Sequence, residues 1–253
     1  LVNRMLAGQG GVASAEAGLA LMRLARTANA TPAVAEALRT SASWAEAQPA
    51  LQLIGLAGDE FVAAWDAFMT EHGHHGAGEL ELASPRWAET PDVVLTMVTG
   101  LMDVPPADDI ISMHAERGRT AAEEEERALA ALGPLARWRF RMLLRYARAG
   151  ARTRENVKND GVRMLAAARH ALLALGAALA DRGVLAAAED IMFLTWSELP
   201  DVRSGSLDPR PLVLARRAEY EHNCTITPPP VVIGEWDGTP HAPDLATPYE
   251  PDT

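Results

Sequence analysis

Apolar residues recur along most of this chain at steps of three and four, the spacing of a single helix face. Ser14 can cap a helix to about Thr27, with Leu19, Leu21, Met22 and Leu24 on its apolar side. Thr31-Pro32 and Thr90-Pro91 each pair a capping hydroxyl with a proline at the first helical position. Between them, a helix from about Asp59 to His72 gathers Phe61, Trp65, Phe68 and Met69, and Gly73 can end it. After Pro105-Pro106 the pattern runs from about Ala107 to Leu132, turns at Gly133-Pro134, and resumes from Leu135 to Gly183. Shorter helical patterns follow at Ala188–Leu199 and Pro209–His222. Four alternating residues, Glu79 to Leu82, suit a short extended segment within a glycine-shaped loop. From Cys224 onward the chain reads as extended. No internal repeat and no strand–helix–strand rhythm interrupts this. The pattern therefore predicts an all-α, multi-helix domain over 1–236, followed by a linker or disordered tail at 237–253.

The long helix carries a distinctive stripe. Stepping back from Leu179 through Leu175, Leu172, Ala168, Leu165 and Gly161, the same face reaches Lys158 and Arg154. An apolar stripe ending in two cations aims them at an interior or a cleft and suggests an anion site. The plainer alternative is a solvated helix end whose register drifts about 20° per heptad away from the core. Lys158 is the only lysine among 23 basic residues, which sets it apart because lysine and arginine are not interchangeable. Glu155 stands beside the two cations and can neutralise one of them.

Charge changes that picture in one respect. The chain carries −11 overall, which argues against a nucleic-acid-binding face, yet 137–163 carry nine basic residues against two acidic ones. Much of this island has a simple expected partner: folding the helices at Gly133-Pro134 into a hairpin would bring Glu126 to Arg141 and Glu123 to Arg145. Arg154, Glu155 and Lys158 then remain as the candidate site.

Other chemistry is sparse. His72, His74 and His75 lie among glycines without a nearby cysteine, so no metal site is expected there. Gly8-Gln-Gly-Gly11 lacks the Gly-Lys-Ser/Thr of a phosphate loop and reads as plain loop. Ser14, Ser84, Ser112 and Cys224 have no neighbours that suggest a nucleophile. A single cysteine fits a reducing, cytoplasmic setting. No run of about 18 apolar residues occurs, so no membrane partner is expected. The N-terminus lacks both a signal-peptide pattern and an initiator methionine, so processing or excision from something longer is expected.

Two stretches resemble one family. Residues 73–87, Gly-His-His-Gly-Ala-Gly-Glu-Leu-Glu-Leu-Ala-Ser-Pro-Arg-Trp, look like its Gly-His-Arg-Gly-Pro-Gly-Glu signature ending in Pro-Arg-Trp. Residues 154–199 resemble a second element: Arg-Glu-x-x-Lys, a leucine-rich helix, Gly183, then Glu-Asp-Ile-x-Phe-Leu-Thr-x-x-Glu-Leu. The region from Tyr220 to Gly234 is similar to the exit of the same domain. In order and spacing these resemble the central helical domain of phosphoenolpyruvate-synthase-like enzymes, the group that includes rifampin phosphotransferase.

The resemblance implies a three-part machine, in which an ATP-grasp domain phosphorylates a histidine on a swivelling domain. The swivelling domain then delivers the phosphoryl group to a small-molecule acceptor on the central domain. Arg154, Glu155 and Lys158 would surround the transfer point as catalytic residues, while His74, His75 and Glu79 would contact the substrate. This stretch would bind no cofactor by itself; ATP and magnesium belong to the ATP-grasp domain, supplied like the swivelling domain in cis or in trans. Departures from the pattern are His75 for the usual arginine, Ala77 for proline and Glu81 for aspartate. Two alternatives stand beside this: a non-catalytic helical module binding a ligand or protein, and a relative using phosphoryl transfer to activate an acid for condensation.

Overall fold

The computed structural model describes residues 13–105 and 109–227, together with 229, 231, 232, 234 and 236. The Gly8–Gly11 loop, Pro106 and the 237–253 tail lie outside the described residues. The chain is all-α: no strand occurs among the described residues. It divides into two compact units, Leu1–Arg169 and His170–Thr253.

In the first unit, α1 (Ala13–Ala30) is the central helix. It contacts α2 (Pro32–Thr40), α4 (Leu56–His72), α5 (Pro91–Met102) and α6 (Ile110–Ala130). The core is aromatic where α3 (Trp44–Gln52) meets α4: Trp44 and Trp65 stack with ring centroids 3.8 Å apart, and Phe61 is fully buried. Helix α3 has no clear apolar period and holds Pro49, yet Ser43 caps it by accepting from Glu46 N–H, and Ala47 and Leu51 are wholly buried. Gly58 lets these two helices touch, since a Cβ there would sit 1.8 Å from the Leu51 carbonyl oxygen. Asp109 is 1% exposed; it caps α6 through Ser112 N–H and receives both Nε and Nη2 of Arg26.

Helix α6 is continuous through Gly118, and α7 (Pro134–Asp181) runs 48 residues without a break. The expected hairpin forms, but with different pairs. Across it, Arg148 Nη1 donates to Glu125 Oε2 at 2.9 Å, while Arg127 of α6 itself serves Glu123 and Glu124. Arg137 turns back over the connection to the carbonyl oxygens of Leu129 and Ala130. The true partner of the acidic run thus lies about a turn further along α7, and the pairs expected at Arg141 and Arg145 do not form. These two arginines instead line a shallow cleft with Trp138, Met142 and Tyr146.

The second unit packs Leu179, Leu185, Ile191, Val202 and Val213. Helix α7 ends at a left-handed Gly183, φ 71°. A Cβ on Gly176 would lie 2.1 Å from the Ala188 carbonyl oxygen, so the glycine is what lets the next segment lie against the helix. That segment is not the single helix the pattern predicts. It is a 3₁₀ helix over Ala188–Phe193, a turn carrying Trp196, and α8 (Leu199–Ser204), followed by α9 (Arg210–Cys224). Asp190 fixes the start by accepting from the N–H groups of Ala186 and Ala187 and from Arg217.

By length and composition alone α7 could cross a membrane, contrary to the expectation from its sequence. That apolar stretch contains Arg169, whose charge is spent on a half-buried ion pair described below.

Candidate functional site

The first unit brings the two motif stretches together. Residues 73–90 leave α4 and return to α5 through consecutive turns. Trp87 N–H donates to the His75 carbonyl at 2.8 Å and Ala88 N–H to that of Gly73 at 3.0 Å, closing the loop at its base. The glycines of the motif are steric requirements. A Cβ on Gly76 would approach the Pro85 carbonyl oxygen to 2.5 Å, and Gly78 has φ +67°. The extended segment expected at Glu79–Leu82 is a turn instead: Glu81 N–H donates to the Gly78 carbonyl at 2.8 Å. The left-handed glycine folds the chain back before a strand can extend.

That turn aims Glu79 at α7. Glu79 Oε1 is 3.3 Å from Lys158 Nζ, and Oε2 is 2.8 Å from His75 Nδ1. An ionised carboxylate only accepts, so the shared hydrogen belongs to His75 Nδ1; Nε2 is then buried with no partner among the described residues. His74 faces the same helix, its Nε2 donating to Asn159 Oδ1 at 2.9 Å. Burial holds the His72 and His74 imidazoles below the ordinary histidine range. Burial also pushes the Glu79 carboxyl upward, but the hydrogen bonds from His75 and Lys158 outweigh it and hold the group below the usual carboxylate range. Glu81 turns the other way, capping Ala83 N–H, so only one of the two glutamates faces α7.

The burial of α7 corrects the stripe. Arg154 is exposed, Lys158 keeps 52% of its side chain in solvent, and Glu155 is half-buried. Beyond Arg154 the residues of α7 that are buried are Val162, Arg169, Gly176 and Leu179. The drift of a straight helix against a seven-residue pattern accounts for the rotation. The two cations therefore stand at a surface rather than in an interior, and the carboxylate that meets Lys158 comes from the loop.

A second, buried arginine locks the loop in place. Arg169 is 3% exposed; its Nε and Nη2 bind Glu89 at 2.7–3.1 Å, and Nη1 donates to the Leu82 carbonyl at 2.6 Å. Those hydrogen bonds hold the Glu89 carboxyl below its usual range. Arg86, 2% exposed, donates through Nη2 to the Glu81 carbonyl from inside the loop. Arg169, Glu89, Arg86 and Asn159 were not among the sequence-derived candidates. For Arg169 a signal existed: it lies seven residues from both Val162 and Gly176, in the middle of the buried row. Among the described residues no group of three or more histidines, cysteines and acidic residues could hold a metal ion.

Both carboxyls tie stability to pH in the same sense. A folded pKa below the unfolded one gives stabilisation that is complete at neutral pH and is lost as pH falls through the folded value. Acid unfolding should therefore steepen below about pH 4, the ordinary carboxylate range. Glu89→Gln should flatten that slope while lowering stability at pH 7, read by urea titrations at several pH values; an unchanged slope would contradict the pairing.

The family described as rifampicin phosphotransferase fourth domain matches residues 1–155, which include the whole loop and reach Glu155. An uncharacterized protein of Mycobacterium tuberculosis is 27% identical over 231 residues, covering 90% of this chain and 23% of its own length. A rifampicin phosphotransferase of Streptomyces sviceus is 28% identical over 233 residues, covering 89% of this chain and 26% of its own. The rifampicin phosphotransferase of a Streptomyces species is 28% identical over 184 residues, 70% of this chain and 21% of its own. The chain thus spans about a quarter of the length of these relatives. With residues 1–155, more than half of the chain, matched in sequence, the chain belongs to the rifampicin phosphotransferase fourth-domain family.

Proposed function

We propose that this chain is the acceptor-binding part of an ATP-dependent phosphotransferase. In this reading a phosphohistidine on a swivelling domain outside residues 1–253 delivers its phosphoryl group to a small molecule held here. The observation that carries the reading is the Glu79–Lys158 pair, which joins the two motif stretches at one surface. Arg154 lies four residues before Lys158 and so shares its face, giving a forked donor beside a mobile point charge. Both groups reach solvent, so a phosphoryl group can meet them without entering the core. The N–P bond of the phosphohistidine breaks, an O–P bond to the acceptor hydroxyl forms, and the released imidazole nitrogen accepts the hydroxyl proton. Arg154 and Lys158 would offset charge on the phosphoryl oxygens during transfer. Glu79 and His75 would hold Lys158 in position, with Glu155 beside it and His74 fixing the loop through Asn159. ATP and magnesium act on the ATP-grasp domain in this scheme, and the setting is cytoplasmic.

A second reading has its own support. Glu79 already compensates Lys158, as a structural ion pair in a non-catalytic helical module would. Phosphoryl transfer from ATP separates the two. With the ATP-grasp and swivelling domains present, the enzyme phosphorylates a member of a panel of hydroxylated natural products and pyruvate. A module leaves every acceptor unmodified, even when the histidine of the swivelling domain is shown to be phosphorylated.

A further inference from the structure

The second unit contains a cleft of about 280 Å³ walled by Leu175 and Leu179 of α7 and by Leu199 and Pro200 of α8, with Trp196 and Arg203 completing its lining. Its size is close to the small end of ligand pockets, about 300 Å³, and suits one or two fused rings.

Trp196 is 84% exposed, and no aromatic ring or cation packs on it among the described residues. Isolated exposed apolar residues are ordinary. What distinguishes this one is the firmness of the turn that presents it. Glu198 Oε2 accepts from Thr195 N–H at 2.8 Å, and Arg216 binds both Glu198 oxygens at 2.7 and 2.8 Å. Arg216 also donates to the Phe193 carbonyl at 2.8 Å. The Arg216 hydrogen bonds, with Thr195, bring the Glu198 carboxyl down to about 2, so this clamp persists at any physiological pH. The turn is thus fixed on both sides of Trp196, and the large ring is left in water next to an apolar hollow.

Arg203 adds a charge. In the same unit Arg210, Arg216 and Arg217 each hold a carboxylate, from Asp208, Glu198 and Asp190. Arg203 holds none among the described residues, while its backbone carbonyl accepts from Arg182. An unstacked indole, a leucine-lined floor and an uncommitted guanidinium around one hollow are complementary to a flat apolar group bearing an anion.

We propose that this cleft is a binding site for an aromatic or fused-ring molecule carrying one carboxylate, sulfonate or phosphate. The ring lies against Trp196, Leu175, Leu179 and Leu199, and the anion meets Arg203. The site lies beyond the residues matched by the family description, and it does not depend on the phosphotransfer reading.

The probe is 8-anilinonaphthalene-1-sulfonate, with uncharged N-phenyl-1-naphthylamine as its partner, titrated against the full chain by fluorescence. The anionic dye should bind at one saturable site. Trp196→Ala should weaken both dyes about tenfold, the loss of one aromatic face. Arg203→Gln should weaken the sulfonate about five- to tenfold while leaving the uncharged dye within about twofold. Trp138→Ala, at an exposed tryptophan in the other unit, should change neither. Trp196 and Arg203 are both exposed, so circular dichroism should show folded variants. The proposal is overturned if both variants bind the sulfonate as the wild type does. It is also overturned if Trp138→Ala removes the site, or if Arg203→Gln weakens the two dyes equally.

Discussion

Replacing Arg169 with methionine is expected to destabilise the first unit by about 3 kcal/mol, toward the low end of the 3–5 kcal/mol seen when one partner of a buried pair is removed. The Arg169 side chain is 4% exposed and makes hydrogen bonds to both Glu89 oxygens and to the Leu82 carbonyl. Methionine fills the volume but leaves those acceptors without a donor. Glu89 keeps 34% of its side chain in solvent and can recover some hydration, hence the low end. Urea unfolding followed by circular dichroism measures the loss. Pairing Arg169→Met with Glu89→Leu should be less damaging than the sum of the single changes, because the second change removes the stranded carboxylate. A loss below about 1 kcal/mol for Arg169→Met would mean that the pair behaves as a surface one.

The same residue shows what the sequence made visible and what it left hidden. Helices with strong periodicity were legible, as in the α4 set of Phe61, Trp65 and Phe68, all buried. The prolines of Thr31-Pro32 and Thr90-Pro91 located the starts of α2 and α5, although neither threonine hydroxyl caps its helix and that of Thr90 donates to the Arg86 carbonyl instead. Helix α3 escaped because nine residues with an internal proline give little period, although tertiary burial of Trp44 and Leu51 stabilises it. The segment at Ala188–Leu199 looked helical by its apolar content. The Asp190 and Glu198 side chains instead bind nearby backbone N–H groups and break it into a 3₁₀ helix and a turn.

At the site, the loop–helix encounter could be approached only through the family resemblance. The pairing of Glu79 with Lys158 depends on the left-handed conformation of Gly78 and on the rotation of α7. Neither can be read from spacing alone. Reading the stripe at steps of four and three placed Arg154 and Lys158 inward. A step of seven from Val162 through Arg169 to Gly176 follows the buried row more closely, and it puts an arginine where the apolar pattern seemed uninterrupted. The hairpin was right in topology and wrong in register, because Arg148 rather than Arg141 or Arg145 supplies the cross-helix bridge.

Phosphoryl transfer should depend on Lys158 far more than folding does. Its ammonium is half in solvent and is held by Glu79, so removing it should change stability by no more than about 1 kcal/mol. Its effect on transfer should be far larger. A positioned cation that offsets charge developing on the phosphoryl oxygens is worth about 10²–10³ in rate, as for one oxyanion donor. Loss of charge balance beside Glu79 should add to that, since its carboxylate, still held by His75 but no longer facing the ammonium, would then repel the phosphoryl group. The direct measurement is single-turnover transfer from the phosphorylated histidine of the swivelling domain to an acceptor, comparing wild type with Lys158→Met in the full-length protein. Transfer should be slowed at least about 100-fold, with a melting temperature within about 4 °C of wild type. Transfer at the wild-type rate by a folded Lys158→Met protein would contradict it.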